Sequence, residues 1–330
     1  MNNKTGFTLG KYAPFHKGHE YVISTALNEM DHVIVMIYNA SDVTDIPIEK
    51  RAGWIKNIFP EVEIIIAENG PQETGYTPEI IEKQNDYLKN ILQGINIHSF
   101  FSSENYGFHV SKALNCNNRI VDIERKIIPI SGSEIRKIEN VISIKKFVSK
   151  CVYDDIKPKY YFIGAPSTGK TTVSQKCADV FDGSYCKEYG RDYWFKFQKE
   201  HRLSMRDLEN IAVEHNNLEN SISSEDKDYI FIDTNIITTF SYALYYFGDV
   251  SPLLTNILVS ALYKYKYLFL CDEDIPFDDT PDRSGPESRN KIQKINKMVL
   301  ERYKLKYTIL YGPLERRVEN IREYIQKGNR

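Results

Sequence analysis

Residues Gly164-Ala165-Pro166-Ser167-Thr168-Gly169-Lys170-Thr171 fill the pattern Gly-x-x-x-x-Gly-Lys-Ser/Thr. They lie between an apolar run, Tyr160-Tyr161-Phe162-Ile163, and a helix-like run that contains Val173 and Ala178. A strand, a glycine-bounded loop and a helix in this order constrain a chain more than any other feature here, because they demand a parallel α/β sheet. Glycines let the backbone turn tightly, and the N–H groups of the loop and of the helix start then converge on phosphate oxygens. Lys170 can reach the outer phosphates, and the Thr171 hydroxyl can ligate Mg²⁺. A chance match in a glycine-containing turn is the alternative, and the flanking strand and helix argue against it.

The alternation of strand and helix patterns runs through the whole chain. Short branched or aromatic runs at Gly6 to Leu9, His32 to Tyr38, Glu63 to Ala67, Ile97 to Phe101 and Ile127 to Ile130 read as buried parallel strands. Between them, Val22, Ile23, Ala26, Leu27 and Met30 share one helical stripe, and a second helix is expected from about Pro78 to Gln93, stopped by Gly94. The pattern restarts with strands at Lys159 to Ile163, Ser184 to Lys187, Tyr229 to Ile232, Tyr267 to Cys271 and Tyr307 to Leu310. The length of 330 residues suits two domains. The charged stretch from Ser143 to Lys157, followed by Pro158, places the boundary near 155. The expected fold is therefore α/β with two doubly wound parallel-sheet domains, 1–155 and 156–330.

Composition excludes several classes. A net charge of −2 provides no general basic field for nucleic acid. No apolar run reaches the ~18 residues of a membrane span, and Met1-Asn2-Asn3-Lys4 leads into a strand rather than a signal-peptide core. The five cysteines, Cys116, Cys151, Cys177, Cys186 and Cys271, form no Cys-x-x-Cys pair. They read as reduced thiols of a cytoplasmic protein.

Further candidates in the second half follow strands. Asp233 ends Phe231-Ile232-Asp233, where a carboxylate can serve Mg²⁺ or act as an acid/base group, or can simply cap a helix. Lys187-Glu188-Tyr189-Gly190-Arg191-Asp192 can face an acceptor in the crevice or remain a solvated loop. The polar stretch from Asp278 to Gly285, with Arg289 beyond it, can form a lid that brings arginines to a transferring phosphate, or a plain loop. Together these favour a small-molecule kinase.

In the first half, Gly10-Lys11-Tyr12-Ala13-Pro14-Phe15-His16-Lys17-Gly18-His19 follows the first strand and opens a helix. Two imidazoles at that spacing can both face the helix N-terminus and donate to phosphate, while Gly18 lets the backbone close in. This suits nucleotidyl transfer, in which one phosphate attacks the α-phosphorus of ATP and pyrophosphate leaves. A metal pair or two ordinary surface histidines are the alternatives. A second segment, Ile130-Ser131-Gly132-Ser133-Glu134-Ile135-Arg136, also opens a helix. Ser131 and Ser133 can bind phosphate or cap that helix, Ser131 and Glu134 fit a capping box, and Arg136 can neutralise the outer phosphates.

These two segments resemble the HxGH nucleotidyltransferase superfamily. With the P-loop half behind them, almost the entire chain resembles the bifunctional NadR type, a nicotinamide-nucleotide adenylyltransferase joined to a ribosylnicotinamide kinase. Ile46-Pro47-Ile48-Glu49-Lys50-Arg51-Ala52-Gly53-Trp54 is similar to a Pro-x-x-x-Arg-x-x-Trp element of that family, and Ser102 to Gly107 to its Ser-Glu-x-Tyr-Gly element. Asp233-Thr234-Asn235 and the Asp279-to-Arg283 stretch are similar to its kinase part. The resemblance implies that His16, His19, Ser131, Ser133 and Arg136, with Gly10, Lys11 and Gly18, serve ATP in the first domain. It implies that Arg51 and Trp54 lie near nicotinamide mononucleotide. In the second domain it implies that Gly164, Ser167, Thr168, Gly169, Lys170, Thr171 and Thr172 hold ATP. Thr171 and Asp233 would then serve Mg²⁺, Asp233 would be the metal or base residue, Glu188 and Arg191 would lie near the riboside, and Arg283 and Arg289 would be lid groups.

The implied reactions are phosphorylation of nicotinamide riboside to the mononucleotide (NMN) and its adenylylation to NAD, each with MgATP. A functional link to a membrane riboside transporter belongs to the same implication, while the sequence leaves open whether the chain forms a homo-oligomer. Asn235 stands where the family more often has Asp, and Pro281 with an extra residue precedes Arg283. The first strand begins by about residue 5, so no preceding DNA-binding domain is expected. Two alternatives stay open: one half is a nucleotide sensor, or the transferase uses another acceptor of the phosphopantetheine type.

Overall fold

The computed structural model describes residues 4–71, 73, 75–197, 203–278 and 286–328. It divides into two units, one containing residues 1–139 and 143–153 and the other 140–142 and 154–330. The division falls inside the short helix Lys150–Ile156.

In the first unit the strands are β1 (Thr5–Gly10), β2 (His32–Tyr38), β3 (Glu63–Ala67), β4 (Ser99–Ser102) and β5 (Asn117–Ile120). All pair in parallel, in the order β3-β2-β1-β4-β5. The inner strands are buried over most of their length because helices cover both faces. Phe7, Ile34, Met36 and Phe100 pack there with Leu88 and Leu92. The order reverses beside β1, and the carboxyl end of a strand at such a reversal opens into a crevice. The loop that leaves β1 there carries His16 and His19.

One expected strand is absent. Ile127 to Ile130 is irregular, and the fifth strand is Asn117–Ile120 instead. The carboxylate of Asp122 accepts the N–H groups of Lys126, Ile127 and Ile128, which curls that backbone away from a ladder. Ile127 is left exposed. Asn117–Ile120 lies at the sheet edge with alternating exposure, so its polar sequence shows no apolar run.

The second unit has β6 (Lys159–Ile163), β7 (Ser184–Cys186), β8 (Ile230–Asp233), β9 (Tyr267–Cys271) and β10 (Thr308–Leu310), parallel in the order β10-β9-β6-β8-β7. The central β6 is buried at every position. Tyr160 stacks on Phe231 at 5.2 Å and on Tyr267 at 5.0 Å, so neighbouring strands share one aromatic layer. Register pairs Phe162 with Asp233, which sets that carboxylate beside the start of the P-loop. Among the described residues no helix is long and apolar enough to cross a membrane.

Candidate functional site

The first unit builds its site from a helix cap. His16 is the N-cap of helix Lys17–Glu29, and its Nδ1 accepts the Gly18 N–H at 3.1 Å. In return the His16 N–H reaches Nδ1 of His19 at 3.3 Å. This is a capping box made of two imidazoles, and it stacks the rings 3.6 Å apart. Both Nδ1 atoms accept, so each neutral ring carries its proton on Nε2 as a free-facing donor. Burial pulls the His16 pKa down to about 4, and the cations of Arg125 and Arg136 add to the effect. Burial and His16 hold His19 well below the usual histidine range. Near neutral pH both rings therefore act as uncharged hydrogen-bond donors. A side chain at position 18 would press on His16 at 2.9 Å, so the ring spacing requires glycine there.

The second segment meets the same place. A Cβ on Gly132 would lie 3.3 Å from Nη1 of Arg136 and 3.6 Å from Nε2 of His16. Arg136 donates to the Ala13 carbonyl at 3.0 Å and so ties the two loops together. Ser131 caps its helix, and its hydroxyl is shared between Glu134 and Ser133. The capping alternative for Ser131 is thus the geometry seen. Lys11 pairs with Asp42 at 2.5 Å. Gly10 packs over the ring of Tyr12, and Tyr12 packs edge-on against His19.

Arg51 and Trp54 differ from the expectation of groups facing a ligand. Arg51 is 1% exposed, and its guanidinium donates to the carbonyls of Ile46, Tyr38 and Lys11. It braces the loop after β1 from beneath. Trp54 is also buried, on the same helix.

In the second unit the P-loop is over-determined. Gly164 has φ +150°, and a Cβ there would meet the Cys271 carbonyl at 2.8 Å. Gly169 has φ +81° and starts helix Lys170–Val180. Thr168 donates to the Ala165 carbonyl, and Gln293 bridges the Ala165 N–H to the Cys271 carbonyl. Ser167 exchanges hydrogen bonds with Asp278. Lys170 Nζ reaches the Ala165 carbonyl at 2.9 Å.

Beside the loop, Thr171 donates to Asp233 Oδ2 at 2.6 Å, and Tyr185 donates to the same oxygen at 3.3 Å. Oδ1 of Asp233 is buried with no protein partner. Burial raises the Asp233 pKa against the pull of Lys170 and Thr171. Burial and then Asp233 raise that of Glu188, with Lys170 and Arg191 opposing. A hydroxyl and an under-satisfied carboxylate next to a phosphate cradle are the donor set that phosphate-bound Mg²⁺ takes. Among the described residues no group of three or more His, Cys, Asp or Glu gathers, so such an ion would draw its other ligands from phosphate and water.

A cavity of about 300 Å³ opens from the P-loop. Lys170, Thr171 and Thr172 line it together with Glu188, Arg191, Trp194 and His215. Glu188 is the one carboxylate among the described lining residues; Asp233, at 0% exposure, is not among them.

Arg289, expected as a lid group, lies behind the P-loop. It is 8% exposed and donates to the carbonyls of Ser167 and Ile275, bracing the P-loop from behind. Arg283 lies outside the described residues. Asn235 caps helix Ile236–Phe247 through the Ile237 N–H at 2.9 Å.

A family model described as an AAA domain matches residues 159–317. The trifunctional NAD biosynthesis/regulator protein NadR of Escherichia coli (strain K12) is 24% identical over 325 residues, covering 92% of this chain and 77% of that protein. Two solved NadR structures, one in complex with NAD and AMP-PNP and one with NR, superpose with TM-scores of 0.65 and 0.68. Each is 19% identical and covers 98% of this chain, and they cover 97% and 96% of those chains. The chain is similar to NadR over nearly its whole length.

Several residues of the two candidate sites carry no signal in the sequence. Arg125 donates to the Ile130 carbonyl at 2.8 Å and to Glu104 at 3.2 Å, and its charge bears on both His16 and His19. Arg317 is 2% exposed and holds the Thr168 carbonyl and Asp274, both at 2.5 Å. His215 lines the cavity from a helix that contains no motif. A lone Arg or His within a polar stretch carries no spacing signal, so only the tertiary contacts reveal these residues.

Proposed function

We propose that the chain makes NAD in two ATP-dependent steps. The second unit phosphorylates nicotinamide riboside to NMN. The first joins NMN to the adenylyl group of ATP, giving NAD and pyrophosphate. The observation that carries this reading is the presence of two different phosphate-gripping constellations, the paired imidazoles at His16 and the P-loop at Gly164, one in each unit. The relatives' names and ligands support the nicotinamide assignment.

In the adenylyl transfer a phosphate oxygen of NMN attacks the α-phosphorus of ATP, and the bond to pyrophosphate breaks. No side chain need act as nucleophile. His16 and His19 donate from Nε2 to phosphate oxygens, and Arg136 and Arg125 neutralise charge that builds on the leaving group. Neutral imidazoles suit this work because they donate without trapping the trianionic product as a salt.

In the kinase step Lys170 and the P-loop N–H groups hold the β- and γ-phosphates. Thr171 and Asp233 would hold Mg²⁺, which when bound draws charge from those phosphates. Asp233 already engages Thr171, while Glu188 faces the cavity. Glu188 therefore takes the proton from the riboside hydroxyl as that oxygen attacks the γ-phosphorus. Its raised pKa brings it toward the working pH, as a general base requires.

Purified protein given nicotinamide riboside and MgATP is expected to yield NMN and NAD on chromatography. Absence of both products overturns the reading. Two halves measured apart, with the riboside and then with NMN, separate it from the alternative in which one half only senses nucleotide.

A further inference from the structure

The cavity of the second unit presents two polar atoms that the phosphate chemistry leaves unused. His215 sits on helix Met205–Ser223 and Thr238 on helix Ile236–Phe247. Each is 5% exposed, and each lines the cavity that Glu188 also lines. His215 Nε2 and Thr238 Oγ1 have no hydrogen-bond partner in the protein. Buried polar atoms are costly to leave unpaired, and a ligand in the cavity that these residues line could satisfy them.

The ring of His215 is oriented by its surroundings. The Thr234 backbone acts on the ring in the sense that favours its protonated form. A carbonyl partner for Nδ1 would leave the lone pair on Nε2, the atom that has no partner in the protein. Burial keeps the ring neutral against the pull of Glu219 and Glu188. Glu219, one turn along, is occupied by Tyr161 at 2.8 Å and Lys264 at 3.2 Å, so it does not compete for the ring. The wall beside Glu188 thus offers a nitrogen acceptor and a hydroxyl that both donates and accepts. That set matches neighbouring sugar hydroxyls.

We infer that His215 and Thr238 form a subsite that reads the vicinal diol of the acceptor, so that this cavity selects a riboside over a deoxyriboside. The inference rests on the kinase reading above. It adds two specificity residues that contact the sugar and take no part in proton transfer.

The test compares kcat and KM of the full-length protein for nicotinamide riboside and for its 2′-deoxy analogue. The unsubstituted protein is expected to prefer the riboside by at least about 100-fold in kcat/KM, since a site built to pair a hydroxyl rejects the analogue lacking it. His215→Phe, and separately the isosteric Thr238→Val, should collapse that preference by about 10-fold or more, chiefly through KM. Equal losses on both substrates overturn the inference. Ring ¹⁵N spectroscopy of the unsubstituted protein needs no turnover. It should show His215 as the Nδ1–H tautomer, with Nε2 shifting on addition of the riboside and not of the deoxy analogue. An Nε2–H tautomer, the same shift with both compounds, or no shift with either overturns the subsite even where phosphorylation occurs. A riboside-specific shift without phosphate transfer keeps the subsite and removes the kinase reading instead.

Discussion

Histidines usually draw notice for the charge they can carry, but the two that open helix Lys17–Glu29 work by staying neutral. Each gives its Nδ1 to a backbone N–H, and burial lowers the His16 pKa to about 4. The consequence for stability has a definite sign. Between pH 6.5 and 4 the unfolded chain binds a proton at His16 that the folded chain refuses, so stability falls as pH falls through that window. At pH 5 the loss from His16 is about 2 kcal/mol, at ~1.4 kcal/mol per pKa unit. Urea unfolding at pH 7 and pH 5 measures it, and His16→Asn, which keeps a capping acceptor, should remove most of the difference. For catalysis, His19→Ala should slow NMN adenylylation by about 100-fold or more and spare riboside phosphorylation, while Lys170→Ala should do the reverse. Loss of both steps in either folded variant contradicts the assignment. Glu188→Gln should lower kcat of the kinase step by about 10²–10⁴ with little change in ATP affinity, read by kinetics beside calorimetry. His16, His19 and Lys170 were legible because their motifs encode a backbone geometry. That Glu188 and not Asp233 lines the cavity was not, because it depends on which carboxylate the packed wall exposes.

At the level of elements, strands with whole-length apolar runs, β2, β6 and β9, were readable because both of their faces are covered. The edge strand β5 was not, and Ile127 to Ile130 read as a strand only because its apolar side chains hide the turn that Asp122 imposes. The arginines of these elements act mainly on carbonyls. Arg51 joins helix Ile48–Ile58 to the ends of β1 and β2. Arg51→Leu removes the donor to three part-buried carbonyls and should cost about 3 kcal/mol, at 1–3 kcal/mol per unmet group with partial relaxation, which chemical denaturation of the variant checks. Gly164→Ala should be worse for function than for folding. Its Cβ collides with Thr168 and the Cys271 carbonyl, so the loop must open and ATP binding to this unit should be lost, as calorimetry with the His19→Ala background would show.

Across the whole chain, two parallel sheets each present one site at the carboxyl ends of their central strands. A non-hydrolysable ATP analogue should therefore saturate at two equivalents per chain by calorimetry, and at one in Lys170→Ala. A single equivalent in the unsubstituted protein removes one of the two sites. What the sequence alone determined is local: a strand, a tight loop and a helix start, written twice in different residues, because backbone turns and helix caps depend on near neighbours. The tertiary structure decided what lies far apart in the chain yet meets in space. Arg125 and Arg136 come to bear on the imidazoles, and Arg289 and Arg317 are spent behind the P-loop. Glu188 and His215 come to line one cavity beside the P-loop. Those outcomes rest on burial and on which carbonyls need a donor, and both exist only once the sheets have formed and packed.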